Sequence, residues 1–493
     1  MLLQAAAETW GVQIETLSAE KSFIVDKTGN RRAPFADFAA AAAELSQPPK
    51  PVLKTSDEFT LLGTDVQRLD MPAKVDGSAQ FGIDAQLPGM KYATVRAAPV
   101  FGAIVQSVDE ASVQGLVGVH KVINLGDAVA VVSDGYWQAK KVLDGLDIVF
   151  GETDNDSLDQ NDIFSQFSVA LDTATDDSDE ITDFETGDTA AAMASATRVI
   201  EAEYRVPFLS HATMEPMNCT AWVHDGICEL WTGTQNPLGA AAEVADSLGM
   251  NLDDVILHNQ YLGGGFGRRY FFDYALQAAR IASEIDFPVK LIWSREEDMR
   301  HGRYRQASIS RFRAALDGFG NPTAWVNQYV EKHDPRVAPY IPYGIDNQYI
   351  HYVESKSHVP WGYWRSVDHS LHAFFTESFI DEVAFAAEAD PYQYRHDLLA
   401  SSPRLQRVLD LAAERSDWGA SLPGNWGRGI AIHRSFDTIV AQVVEVEVAD
   451  GRVRPRRVIC AVDAGFAMYP DGLKAQMESG IVYGLTAALY SNI

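Results

Sequence analysis

The chain has 493 residues, 46% of them hydrophobic, and 40 basic against 68 acidic side chains give a net charge of −28. That length allows about three domains and a large core, while the acidic balance excludes nucleic acid or an anionic membrane as the main partner, because both require a basic surface. The cysteines, Cys219, Cys228 and Cys460, are too few and too scattered for a disulfide framework, a zinc site or an iron–sulfur cluster, and no apolar run is long enough for a transmembrane helix.

The chain opens in a helical pattern with no capping residue ahead of it. A short β-like piece (22–25) and an Ala-rich helix (35–45) follow, and Pro48, Pro49 and Pro51 mark a linker. Residues 58–151 read as a compact α/β unit, with strands at 93–95, 121–123 and 128–132 and a helix at 137–146. The acidic stretch 152–188, with its run at 176–180, reads as a solvated interdomain connection. Beyond it lies a larger unit: a strand at 199–206, a helix from Asn236-Pro237 to Gly249, an Ala-faced helix at 272–285 and a buried strand at 289–293. Helices at 371–387 and 405–414 and a hairpin around Asp450-Gly451 complete it. An apolar element at 481–490 stops close to the end, so both termini read as cut.

The stretch that most suggests chemistry is Gly263-Gly264-Gly265-Phe266-Gly267-Arg268-Arg269, between a short apolar run and a helical pattern. Glycines let a backbone turn sharply and bring its N–H groups close to another molecule, and a loop opening onto a helix N-terminus is a natural anion site. The loop therefore reads as a cradle for a phosphate-bearing or oxyanionic ligand. Gln235 offers an amide at a strand–helix junction, or is a bystander beside the capping Asn236. Phe266 either plugs the core or faces a ligand. Arg365, among Trp361, Tyr363 and Trp364, either binds phosphate or stacks on a ring. His211, Glu215 and His433 are possible acid–base groups, although single residues of these types are more often structural.

Ten segments, in order, carry a resemblance: 69–79 (LDMPAKVDGSA), 81–84 (FGID), 211–217 (HATMEPM), 234–237 (TQNP), 263–269 (GGGFGRR), 294–299 (SREEDM), 362–367 (GYWRSV), 377–382 (ESFIDE), 461–465 (AVDAG) and 475–478 (AQME). Together they resemble the molybdopterin-binding large subunit of the xanthine dehydrogenase/aldehyde oxidase family, of the isoquinoline 1-oxidoreductase beta-subunit type. The resemblance implies an α+β fold: a hammerhead α/β domain at 58–150 and a larger mixed α/β molybdenum-cofactor-binding domain at 197–493, joined by an acidic linker at 151–196. Residues 1–50 correspond to a permuted piece of the cofactor-binding domain.

The implied cofactor is molybdenum–molybdopterin, in bacteria usually the cytosine dinucleotide form. Gln235 and the backbone of Gly264, Gly265, Phe266, Gly267 and Arg268 would face it, with Arg365 and Gln476 nearby and no side chain ligating the metal. The implied chemistry is hydroxylation of an N-heterocycle or an aldehyde with oxygen from water, electrons leaving through a separate small subunit with two [2Fe-2S] clusters. The family base is a glutamate in a Gly-Val-Gly-Glu segment, expected beyond Ile493. Arg268-Arg269 replaces the Gly-Lys of the xanthine dehydrogenase branch but suits the isoquinoline branch, while Met468-Tyr469-Pro470 stands for a usual Val-Asn-Pro and Gln306 for a usual proline. These departures keep a second reading open, that of a catalytically inactive or fragmentary relative acting as a binding or assembly partner. The family leaves periplasm and cytoplasm both open.

Overall fold

The computed structural model describes residues 1–51, 53–174, 182–331, 333 and 335–493, in two compact units. The first comprises Met1–Val66 with Met468–Pro470. Its helices Leu2–Trp10 and Ala36–Ala43 close on an antiparallel sheet of Leu17–Glu20, Phe23–Asp26 and Arg32–Pro34. Ala5, Ala6, Ile24 and Phe38 form its core. Asp26 ties the turn together: it accepts from Arg31, Thr28 and the Gly29 N–H, and the Arg31 guanidinium above all holds its carboxyl well below the usual carboxylate range.

The second unit holds everything from Gln67 to Ala467 and from Asp471 onward. A seven-stranded sheet runs in the order Val255–Asn259, Ile227–Thr232, Asn218–His224, Val289–Ile292, Lys91–Ala97, Ala128–Ser133, Val119–Asn124. The strands expected in the 58–150 unit are thus not a separate sheet: Lys91–Ala97 pairs in parallel with Val289–Ile292. Helices Pro237–Leu248 and Asp273–Ala282 cover this sheet, and Ala275, Ala278, Ala279 and Ala282 are buried in the contact. A five-stranded sheet (Arg198–Val206, Ser308–Leu316, Pro322–Val330, Asn347–Val353, Thr182–Thr186) and a three-stranded sheet (Trp426–Ser435, Thr438–Ala449, Arg452–Asp463) sandwich the helix His369–Ala386. Ten residues of that helix are buried, while Phe374, Glu382 and Phe385 stay exposed.

The stretch expected to be a solvated connection carries a helix, Gln160–Thr173, capped by Asp159 and burying Ile163, Phe164, Phe167 and Leu171. Those apolar residues recur at helical spacing, and the surrounding carboxylates sit on the wet face. The acidic run at 176–180 lies outside the described residues. Segments 207–217 and 293–307 each cross from one of the two large sheets to the other. The candidate site is built from these crossings and from the glycine loop beside them.

Candidate functional site

Each glycine of the loop has a packing reason. A Cβ at Gly263 would fall 2.3 Å from the Glu215 Cβ, one at Gly265 2.5 Å from Gln235 Oε1, and one at Gly267 1.5 Å from the Tyr363 carbonyl oxygen. Gly267 also has φ +105° and Phe266 φ +55°, both left-handed. The close approaches that leave no room for a Cβ are made by the protein itself. The loop does not open directly onto a helix: a single 3₁₀ turn, Arg268–Tyr270, intervenes before Asp273–Ala282.

Both loop arginines point inward. Arg268 donates both guanidinium amino groups to Asp273 at 2.8 Å, under the ring of Trp293. Arg269 is fully buried, bonded to Glu215 at 2.9 Å and to the carbonyls of Gly264 and Gly233. Glu215, a candidate acid–base group, is a four-way anchor. Its carboxylate accepts from the Ile83 N–H (3.0 Å), Asn218 Nδ2 (2.9 Å), the Gly263 N–H (2.7 Å) and Arg269. Those bonds use up its accepting capacity.

Gln235 is exposed, and its Oε1 accepts from the Gly267 N–H at 3.0 Å. From there the site continues through an aromatic stack. Phe266 lies on Tyr483 (4.7 Å, 26°), and Tyr483 on Trp364 (4.6 Å, 21°). The Tyr483 hydroxyl donates to the His211 carbonyl, and the His211 ring bonds the Tyr363 carbonyl at 2.7 Å. Burial pushes the His211 imidazole down to about 4, so it is neutral at pH 7.

Arg365 follows the stack. It does not lie on a ring; it donates to Ser479 Oγ (2.9 Å) and to the carbonyl and side-chain oxygens of Gln476 (3.0 and 2.9 Å), all on the helix Pro470–Leu489. Arg365 and Gln476 line a cavity of about 610 Å³ that also takes in Arg205, Arg305, Trp364, Tyr483 and the pair His369–His433. The two imidazoles of that pair are 2.8 Å apart, and burial first, then the neighbouring ring, pushes His433 down to about 3. Among the described residues, no Asp or Glu lines this cavity. Gln235 and the glycine loop do not line it either; they meet it through Phe266 and Tyr483.

Sequence reasoning passed over Arg305 and Tyr483. The guanidinium of Arg305 lies over Trp364, 5.6 Å from the ring centre. The sequence carried no signal for this contact, because Arg305 and Trp364 stand far apart in the chain. Tyr483 carried no signal, standing in an apolar stretch like many others.

A sequence profile described as the molybdopterin cofactor-binding domain matches residues 173–398. The isoquinoline 1-oxidoreductase subunit beta of Brevundimonas diminuta is 29% identical across the whole of this chain and 71% of its own length. The protein named membrane-bound aldehyde dehydrogenase [pyrroloquinoline-quinone] of Gluconacetobacter polyoxogenes is 30% identical over 89% of this chain and 64% of its own. The solved structure of quinoline 2-oxidoreductase from Pseudomonas putida 86 superposes with a TM-score of 0.65 at 16% identity, covering 76% of this chain and 58% of that one. The fold is therefore the α+β fold of molybdenum hydroxylases, and the chain spans less than two thirds of both the second relative and that solved chain.

Proposed function

We propose that this chain, as a molybdopterin-binding subunit of the xanthine dehydrogenase/aldehyde oxidase family, holds the molybdenum cofactor of an oxidoreductase that hydroxylates N-heterocycles or aldehydes. Water supplies the oxygen, and the two electrons removed pass to a separate iron–sulfur subunit. The observation that carries the reading is the arrangement around Arg365: a half-buried guanidinium, bonded only to neutral groups of Gln476 and Ser479, on a carboxylate-free cavity.

The residues fit such a group. About 610 Å³ lies in the ordinary range for cofactor pockets. Arg205 on the lining is paired with Glu203, whereas Arg365, bonded to Gln476 and Ser479, suits a phosphate-bearing ligand such as the pterin in its cytosine dinucleotide form. Trp364 and Tyr483 border the cavity as members of the aromatic stack that begins at Phe266. When bound, the cofactor supplies the redox centre that accepts the electrons. Gln235 fixes the loop by accepting from Gly267, and its amide nitrogen remains as a donor toward a ligand above the loop. The buried neutral His211 holds the Tyr363 carbonyl in place and so keeps Gly267 seated.

The test is elemental analysis of the full-length protein, purified with its small subunit, together with pterin fluorescence after oxidation and release of cytidine monophosphate by acid. Stoichiometric molybdenum with a pterin is expected. A correctly folded preparation from a molybdate-replete host that carries neither would refute the reading; pterin without cytidine monophosphate would refute only the dinucleotide form.

A further inference from the structure

Four arginines of this chain are buried among the described residues: Arg268, Arg269, Arg305 and Arg395. Three have a carboxylate partner, namely Asp273 for Arg268, Glu215 for Arg269 and both Glu377 and Asp381 for Arg395. Arg305 has none among the described residues. It is 6% exposed, one amino group donates to the Pro207 carbonyl at 2.9 Å, and its buried Nε has no acceptor. Beside it, the buried indole N–H of Trp364 also lacks an acceptor. A desolvated cation without a counter-charge is costly, and proteins keep one where a ligand brings the missing charge.

The surroundings define that ligand. The cavity that Arg305 lines has apolar walls in Val206, Pro207, Ala373, Phe374 and Ile481. A planar ring fits such walls, and a single carboxylate answers a single buried guanidinium with fork-like geometry. A phosphate, more strongly hydrated, loses more on entering an apolar pocket, and the half-buried Arg365 with Gln476 and Ser479 offers it a wetter seat. A void of about 10 Å³ also borders Arg305 and Trp364. It has room for one water at most, which carries no charge to offset the guanidinium. Burial alone pushes the Arg305 pKa down to about 9, as expected of a guanidinium with no anion beside it.

We propose that Arg305 recognises a carboxylate on the substrate, so that the cavity prefers aromatic carboxylates to neutral rings of the same shape. The inference rests on the reading above, because it assigns the substrate class of that site. The probes are benzoate and its neutral isostere benzamide, titrated against the cofactor-loaded protein by calorimetry and by tryptophan fluorescence. Benzoate is expected to bind on the order of 10–100-fold more tightly, the range of a charge-assisted hydrogen-bond pair. Arg305→Met should abolish the preference and Arg305→Lys keep part of it. Ala373→Leu, which narrows the cavity without touching the charge, should weaken both ligands alike.

Equal binding of benzoate and benzamide to the unsubstituted protein overturns the proposal, and this comparison holds even if Arg305→Met does not fold. A preference that survives Arg305→Met, or benzoate binding that ignores Ala373→Leu, overturns it as well. If inorganic phosphate displaces benzoate and Arg305→Met sheds the pterin, Arg305 serves the cofactor and the proposal falls. Molybdenum and pterin assayed in the same samples keep the two failures apart: their absence counts against the proposed function, whereas their presence without carboxylate preference counts against this inference alone.

Discussion

Replacing Glu215 tests whether the loop is held by a buried anchor. Its carboxylate is 7% exposed and accepts four hydrogen bonds from Ile83, Asn218, Gly263 and Arg269. Glu215→Ala leaves the fully buried Arg269 bonded to main-chain carbonyls but without a counter-charge, and breaking a buried pair in this way costs about 3–5 kcal/mol. The N–H groups of Ile83 and Gly263 lose their acceptor too, at about 1–3 kcal/mol each if no water replaces it. Relaxation offsets part of the sum, so the expected loss is about 4–6 kcal/mol. Glu215→Gln keeps the shape and loses the charge, and should cost about half as much. Urea unfolding followed by circular dichroism reads the effect as a shift of midpoint at unchanged slope, and hydrogen exchange should show the Gly263 amide opening first. A Glu215→Ala protein within about 1 kcal/mol of the parent would refute the anchor argument.

Gly267→Ala should destabilise more than Gly265→Ala, because its Cβ meets a backbone oxygen at 1.5 Å in a left-handed conformation, whereas the Gln235 amide can swing away; melting temperatures in the opposite order would refute this. Arg365→Ala should lower molybdenum occupancy and leave the melting temperature of the cofactor-free protein within about 2 °C; unchanged occupancy speaks against a binding role. His211 and His433 titrate near 4 and 3 in the fold, below about 6.5 when unfolded, so the unfolded chain binds more protons in that window. Stability should therefore be level above pH 6.5 and fall from there to about pH 4 through His211 and on to about pH 3 through His433, by up to about 3 and about 5 kcal/mol respectively. A flat denaturation midpoint across that window would contradict the buried neutral state.

What the sequence made legible is local. Asn236 does cap Pro237–Leu248 by accepting from the Gly239 N–H, Gly249 ends that helix in the left-handed region, and Asp450-Gly451 turns the hairpin with φ of 54° and 69°. These features follow from the conformational preferences of neighbouring residues. The glycine loop was visible as unusual, but its cause was not, because Glu215, Gln235 and Tyr363 reach it from elsewhere in the chain. Likewise, the pattern that places Arg268 and Arg269 next to glycines says nothing of Asp273 and Glu215 neutralising them from within. The helix Gln160–Thr173 was readable from its apolar spacing and from the pairing of Asp159 with Asp162, but charge density outweighed periodicity.

The parallel pairing of Lys91–Ala97 with Val289–Ile292 has a consequence for synthesis. On a ribosome the earlier strand emerges almost two hundred residues before its neighbour, and it must wait with one edge unsatisfied. A nascent chain stalled in that interval would offer a ready template for aggregation. Expressed by itself, the stretch 58–150 would meet the same hazard permanently, which makes a longer piece reaching past Ile292 the sounder choice for anyone cutting this protein into parts.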